Sequence, residues 1–390
     1  MNLLFLISRF LDGGIDTVLV EVLRMLAEDK HYNITLAISV RMNELEVYHS
    51  RLPKNIKVEY LVSSPTLCNT KIRRFKKQSN PAEKVLDEII INPFRRHLQQ
   101  NALNRLVANN DVIIDVDACH TAFLRKCSKP TFAWIHFSLQ KLLEQNKRRT
   151  QRIAKRLRQY DKVVLICKAM KEEADNLYPE LKDKTVSIYN ALDVDALKRR
   201  ATEEINCNFR YILAVERLEE SQKDLSPLLQ AYSILDIPEH LIIIGKGKDE
   251  QKLKDYAESL GLAVSNDTDK EARVHFLGFQ SNPHSWMARA SLLVHSAKFE
   301  GFGLAIAEAL LLGLPIVATD CPVGPNEILD NGKAGLLTPV GDAKAMADAI
   351  QHLINDEKLR ENILIHAKEH GKNFTKETVK QQLDKLMPLT

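Results

Sequence analysis

Glu300 and Glu308 stand eight positions apart in the segment FEGFGLAIAEALLLGLPIVATDCPVGPNEIL, with Gly301 and Gly303 between them at an expected helix start. Glycines there let backbone approach a ligand closely, and the free N–H groups of a helix N-terminus favour an anion such as pyrophosphate. At 1.5 Å per residue, eight helical residues span about 12 Å. That is comparable to the distance from a hexose to a ribose across a diphosphate, and a carboxylate at each end can accept hydrogen bonds from sugar hydroxyls. An amphipathic helix with one solvated glutamate has the same spacing, so spacing alone leaves both readings open.

Other residue patterns carry less. Asp115-Val-Asp117 has the form of a metal-binding acidic pair, but the same form recurs at Asp193-Val-Asp195. It arises cheaply, and no metal or other cofactor is expected. Gly245-Lys-Gly247 follows an apolar run and invites a dinucleotide reading, but the fingerprint needs a glycine where Glu250 stands. Gly13-Gly14 and His136 each end an apolar run, where a tight turn or a structural histidine serves equally well.

The elements that must position these residues are legible as apolar runs. NLLFLI, NITLAIS, NIKVEYLV, DVIIDVD, PTFAWIHF and KVVLICK in the first half predict buried or half-buried strands, as do RYILAVERL, HLIIIGKGK, ARVHFLGF, ASLLVHSA and LPIVATD in the second. Between them, residues 16–29 place Val18, Leu19, Val22, Leu23 and Leu26 at helical spacing, and DEQKLKDYAESLG and FGLAIAEALLLG are also helical. Strand–helix alternation implies parallel sheets covered by helices on both faces, hence two doubly wound α/β domains. The expected division is 1–190, a linker at 191–208 where the pattern lapses into polar residues, and 209–390, with the last helix able to join the N-terminal domain.

A chain of 390 residues is long enough for two cores. Residues 1–200 hold 35 Lys and Arg against 23 Asp and Glu, a balance of +12, whereas residues 201–390 hold 20 against 28, a balance of −8. Opposite charge implies different ligands or surfaces for the two halves. The basic excess concentrates in Lys71–Lys77 and Lys147–Arg158, where Arg148, Arg152, Lys155 and Arg156 can share a helix face. These runs are either solvated surface or a patch for anionic lipid headgroups. With little aromatic interleaving, nucleic acid is not an expected partner. Six cysteines without a CxxC pair fit a reducing compartment. The opening MNLLFLISRF lacks a basic n-region and reads as a strand rather than a signal peptide. The longest apolar run, 303–318, is broken by Glu308 and Pro315, so no transmembrane helix is expected.

The segment EGFGLAIAEALLLGLPIVATD resembles the glutamate–seven residues–glutamate motif of retaining glycosyltransferases of family four, which have the GT-B fold. CPVGPNEIL is similar to the stretch after that motif in bacterial polysaccharide and lipopolysaccharide members. VERLEESQKDLSPLLQAY resembles the stretch whose arginine and lysine bind the donor diphosphate. HLIIIGKGKDEQKLKDYAESLGL, VHFLGFQSN, VVLICKAMKEE and VSIYNALDVD agree in order, and LDGGIDTVLVEVL resembles the family's glycine loop. Two positions depart: Asp224 stands where Gly or Asn usually follows the lysine, and Glu216 where Gly often precedes Arg-Leu.

The resemblance implies two Rossmann-like domains facing each other across a cleft, closing about a hinge near Asn190. The enzyme would move a hexose or N-acetylhexosamine from a nucleotide diphosphate sugar, most simply a UDP-sugar, to a saccharide or lipid-linked saccharide. Glu308 would hold the donor ribose. Glu300 and the backbone of Phe302, Gly303 and Leu304 would contact the sugar and phosphates. Arg217 and Lys223 would neutralise the diphosphate, Phe279 and Gln280 would frame the base, and Gly13, Gly14 and His136 would line the other side of the cleft. The resemblance also implies a cytoplasmic enzyme, peripheral on the membrane. A transferase for a soluble acceptor and a non-catalytic nucleotide-sugar-binding subunit are the alternatives.

Overall fold

A computed structural model of the chain describes residues 1–11, 13–145 and 147–387, the side chains of 145–150 excepted. It divides into two compact units, 1–191 with 379–390, and 192–378.

In the first unit seven parallel strands form one sheet: β1 (Asn2–Ile7), β2 (Asn33–Ile38), β3 (Lys57–Tyr60), β4 (Val112–Asp115), β5 (Thr131–Ile135), β6 (Lys162–Leu165) and β7 (Thr185–Ser187), in the order 3-2-1-4-5-6-7. Phe5 at the centre pairs in register with Leu36 on one side and Ile114 on the other. Residues 3–7 are all buried, because helices cover both faces of such a sheet and a continuous apolar run is the pattern that environment selects. The helix Gly14–Ala27 turns the expected stripe inward, with Val18, Leu19, Val22, Leu23 and Leu26 buried. Each such side chain contributes about 1.5–3 kcal/mol by leaving water. From Val379 on, the last helix (Lys376–Leu386) belongs to this unit: Lys380 pairs with Asp29 at 2.7 Å, and Tyr32 donates to Asp384 at 2.6 Å.

The second unit repeats the plan with β8 (Tyr211–Val215), β9 (His240–Ile244), β10 (Val264–Ser265), β11 (Val274–Phe276), β12 (Leu292–His295), β13 (Ile316–Thr319) and β14 (Leu336–Thr338), in the order 10-11-9-8-12-13-14. The stretch 191–208, expected as a linker, instead carries the helix Val194–Ala201, capped by Asp193 through Ala196 N–H at 2.9 Å, and the division falls at Ala191–Leu192. Its polar residues are the solvent face of an amphipathic helix with Leu197 buried, which is why composition alone read it as a linker.

Both sheets reverse direction of winding once, between β1 and β4 and between β8 and β12. At such a reversal the loops leave the strand ends in opposite directions, and a crevice opens outside their carboxyl ends. Among the described residues no helix is long and apolar enough to cross a membrane.

Candidate active site

The crevice of the second sheet is built from the loops after β8 and β12, which are neighbours with Leu213 and Leu293 in register. Backbone hydrogen bonds join these loops to the next ones outward. Leu218 N–H donates to Lys246 at 3.1 Å, Gly245 N–H to Gly278 at 2.9 Å, Lys298 N–H to Gln222 at 2.8 Å and Glu300 N–H to Pro322 at 3.4 Å. Gly324, at φ +99°, lies against Phe302, where an added Cβ would come within 2.1 Å of the carbonyl oxygen.

A buried charged cluster sits between the two loops. Lys223 Nζ donates to Glu300 Oε1, and His295 Nε2 reaches the same oxygen at 2.9 Å. Burial alone would raise the Glu300 carboxyl, but Lys223 and His295 outweigh it and hold it at about 2. Burial likewise works against the Lys223 ammonium, yet Glu300 and Glu216 keep it above its usual range. Glu216 is the opposite case: burial pushes its carboxyl up, against the pull of His295 and Lys223. One of its oxygens accepts from Ser296 N–H at 3.0 Å; the other is buried with no partner among the described residues. The cluster thus keeps an ionised ammonium–carboxylate pair out of water, which sharpens its field on anything entering.

Arg217 differs from Lys223 in exposure. Its guanidinium is two-thirds exposed, steadied by Nη2–H donating to Gln222 at 2.7 Å. A looser ion pair joins it to Glu219 at 3.7 Å, whereas Lys223 is buried against Glu300.

Glu300 and Glu308 do not sit on one helix. The helix runs Leu304–Leu311, because Gly303 before it takes a left-handed conformation at φ +96°. Glu300 therefore belongs to the preceding loop, and helical rise does not set its separation from Glu308. Glu308 lies one turn into the helix, its carboxylate 3.4 Å from His284 Nε2 and largely buried. Phe302 packs edge-on against Phe374 with its ring buried. Leu304 begins the helix. Phe279 is exposed after β11, while Gln280 Nε2–H turns back to donate to Leu277 at 2.8 Å.

Gly13, Gly14 and His136 belong to the first unit. Gly13 caps the helix Gly14–Ala27, its N–H donating to Asp16 at 2.8 Å, and an added Cβ on Gly14 would meet nothing within 4 Å. His136 comes directly after β5 and stacks on Trp134. Its Nε2 is buried with no partner among the described residues, and burial pushes its imidazole down to about 3. The folded protein therefore holds it neutral, and the unfolded chain binds the proton first. Stability from this group is present above about 6.5 and is lost as pH falls towards 3. His136→Gln is expected to flatten the fall of Tm between pH 6.5 and 4 relative to the wild type; parallel profiles would show that the imidazole titrates normally.

Asp115, Asp117 and His120 bring ligand-type atoms within 4.8 Å of one another. These atoms are engaged: Asp115 accepts from His120 N–H at 2.7 Å and from the Tyr160 hydroxyl at 2.5 Å, and Asp117 from Ser8 N–H at 3.0 Å.

Residues 195–370, nearly the whole second unit, match the family model described as glycosyl transferases group 1. The second unit is a group 1 glycosyltransferase domain. Among relatives, the chain is 31% identical over 189 residues to a Campylobacter jejuni enzyme, N-acetylgalactosamine-N,N'-diacetylbacillosaminyl-diphospho-undecaprenol 4-alpha-N-acetylgalactosaminyltransferase, covering 48% of this chain and 49% of that one. It is 26% identical to the lipopolysaccharide 1,6-galactosyltransferase of Salmonella typhimurium, covering 62% and 64%. The chain thus spans about half to two-thirds of the length of these relatives. Across 99% of both chains it superposes on Anabaena HepE in complex with UDP, at TM-score 0.75, and on the lipopolysaccharide outer core galactosyltransferase WaaB, at 0.70, each at 19% identity. The fold class is GT-B.

Within this glycosyltransferase domain the two departures from the family pattern have physical readings. Asp224 adopts a left-handed backbone at φ +46°, a conformation that Gly and Asn take most easily. Its carboxylate is held by Lys298 at 2.8 Å, which helps an aspartate to occupy a strained position. Glu216 fills its position with a buried carboxylate that reaches across to the β12 loop. The sequence did not point to His295, and it marked Glu216 only as a departure from the family pattern. The signal available was the His-Ser at the end of the β12 run, five residues before Glu300.

Proposed function

We propose that the protein transfers a hexose or N-acetylhexosamine from a UDP-sugar to a saccharide acceptor in lipopolysaccharide, capsule or related glycan assembly, with retention of configuration. The carrying observation is the buried Lys223–Glu300–His295 cluster beside exposed Arg217, at the winding reversal of a glycosyltransferase domain. In this reading Glu308 holds the ribose, and Glu300 accepts from donor-sugar hydroxyls. Arg217 and Lys223 stabilise the leaving diphosphate as charge develops. They supply positive charge there themselves, so the reading calls for no metal. No carboxylate is assigned as a covalent nucleophile: the donor phosphate takes the acceptor hydroxyl's proton as that oxygen attacks the anomeric carbon on the face the diphosphate leaves. Capture of a glycosyl-enzyme would overturn this step.

A lipid-linked acceptor and attachment to an anionic membrane face are part of the proposal. Exposed Val85, Leu86, Ile89, Ile90 and Phe94 come soon after the Lys71–Lys77 run and support it, since apolar residues flanked by basic ones suit a headgroup boundary. Within that run Arg73, Arg74 and Lys76 are paired with Glu83, Glu88 and Glu44, so the apolar residues carry more of the case than the charges. In the second run Arg152, Lys155 and Arg156 are exposed, and the Arg148 side chain lies outside the described residues.

Thermal unfolding with UDP, GDP, ADP and CMP tests the donor assignment. A ligand at a hundred times its Kd adds about 2.7 kcal/mol, a rise of roughly 5–10 °C for a domain of this size. The expected result is a rise with UDP that shrinks in Glu308→Ala. A rise with another nucleotide would replace the donor, and none with any would refute the site.

A further inference from the structure

The winding reversal of the first sheet holds a second crevice, which the donor chemistry does not use. It is a cavity of about 590 Å³, a size suited to a small-molecule ligand, and its lining draws on the loops after β1, β2 and β4 and on the helices Pro65–Phe75 and Asn92–Ala108. Five of its lining residues are cations: Arg9, Lys71, Arg74, Lys77 and Arg95. None of the lining residues is a carboxylate.

Two of these cations are paired from behind, and among the described residues three are not. Arg74 is committed to Asp87 and Glu88. Arg95 is 1% exposed; its Nη2–H groups donate to Asp87 at 2.6 Å and Thr70 at 2.7 Å, and Nη1–H to Asn92 at 3.2 Å. Its Nε–H has no partner among the described residues, which leaves a buried, charged donor unsatisfied. No carboxylate among the described residues pairs with Arg9, Lys71 or Lys77. Burial depresses the Lys71 ammonium, and the neighbouring guanidiniums of Arg95, Arg74 and Arg9 depress it further, against the opposing pull of Asp87. The other side of the cavity is polar and fixed: Ser39 Oγ meets His120 Nε2 at 2.6 Å, and His120 Nδ1 meets Asp115 at 2.9 Å. Arg9 lies over the Phe75 ring at 5.2 Å, so an apolar wall flanks the charge.

A surface that only needed to stay soluble would pair all of these charges or spread them. Here Arg9, Lys71 and Lys77, with no carboxylate partner among the described residues, converge with the ion-paired Arg74 and Arg95 on one half-open cavity from separate segments of the chain, and Arg95 is almost wholly buried. We propose that this cavity binds a phosphate ester or diphosphate carried by the acceptor, its oxygens held by Arg9, Lys71, Lys77 and Arg95. A compact group with two or more negative charges matches several convergent donors; a single carboxylate does not. Anion binding stands by itself, whereas naming the anion as part of the acceptor rests on the transferase reading above.

The test is calorimetric titration of inorganic pyrophosphate into the full chain saturated with UDP, so that the second unit's site is already filled. One site is expected, with Kd weakened about tenfold or more per cation lost in Arg9→Gln/Lys71→Gln and in Lys77→Gln alone. Arg73→Gln/Lys76→Gln, at exposed neighbours in the same basic run that do not line the cavity, is expected to leave Kd unchanged. Retention of the UDP-induced rise in Tm shows that each variant is folded. Farnesyl diphosphate and glucose 1-phosphate then distinguish a lipid-linked diphosphate from a phosphosaccharide as the source of the anion, according to which binds more tightly. No pyrophosphate binding, or equal weakening in Arg73→Gln/Lys76→Gln, would overturn the proposal. Absence of a UDP effect, with pyrophosphate binding still lost in Arg9→Gln/Lys71→Gln, would refute the donor reading and leave the cavity assignment standing.

Discussion

Replacing Lys223 by methionine is expected to lower kcat about 10²–10³-fold, the usual cost of removing one preorganised charge stabiliser, and to destabilise the fold by about 3–5 kcal/mol. The second effect follows from burial. Lys223 and Glu300 are 13% and 10% exposed at their side chains, so the variant leaves a carboxylate in a poorly hydrated site with only His295 beside it. Adding Glu300→Gln removes the stranded charge, and the double variant is expected to recover much of the stability but none of the activity. That pattern separates a structural pair from a catalytic one, because a purely structural pair would recover both. The pH dependence has a definite sign. In the wild type the Glu300 carboxyl is held at about 2, so its contribution is present above its ordinary value and lost only as pH falls towards 2. In Lys223→Met burial prevails and Glu300 protonates more readily, so the stability gap between variant and wild type should narrow as pH falls from 7 to 4. Chemical denaturation at these two pH values measures it; a constant gap would place the loss in packing rather than charge.

Gly245→Ala is expected to cost more than about 3 kcal/mol, at the severe end for single substitutions, and to abolish the UDP-induced rise in Tm. Gly245 has φ +150°, and a Cβ there would come within 1.7 Å of the Glu216 carbonyl oxygen. That neighbour is backbone, so relief requires the β8 and β9 loops to separate. The same movement would carry Arg217 and Lys223 away from Glu300. Gly261→Ala is the control: it also has positive φ, at +78°, but a Cβ there would meet nothing within 4 Å. It should cost only about 1–2 kcal/mol of backbone strain and leave UDP binding intact. Equal effects of the two substitutions would mean that loop apposition does not matter to the site. Gly245-Lys-Gly247 thus has a reason of its own, since Gly247 meets Leu218 in the same way. The pair lets two loops touch and does not cradle a dinucleotide.

Eleven of the fourteen strands among the described residues were legible as apolar runs, most of them because a strand buried on both faces tolerates little else; β3, with no buried residue, was legible from the run NIKVEYLV that contains it. β7, β10 and β14 were not: with two or three residues each, none or one of them buried, they carry no periodicity that distinguishes them from loop. The helix Val194–Ala201 was hidden for a related reason, since an exposed helix with one buried leucine has the composition of a linker. The residue types of the site were also legible. Glu300, Glu308, Arg217 and Lys223 are chemically conspicuous, and their surroundings resemble a known pattern.

Their arrangement was decided by the tertiary structure. Lys223 and Glu300 are 77 positions apart and Glu216 and Ser296 are 80 apart, and they meet only because β8 and β12 are adjacent where the winding reverses. Strand order of that kind is set by which faces helices can cover, a property of the whole sheet that no local run encodes. The same holds for the cations of the first unit. Lys71, Arg74 and Lys77 read as one basic stretch along the chain, but which of them is spent on an ion pair and which faces the cavity depends on where Asp87, Glu88 and Arg95 are brought by elements remote from the strand ends. By itself the sequence determined the strands, the two α/β domains and the chemical inventory. Folding decided which charges meet, how deeply they are buried and therefore how strongly they act, because those depend on the dielectric each group finds after the chain has closed around it.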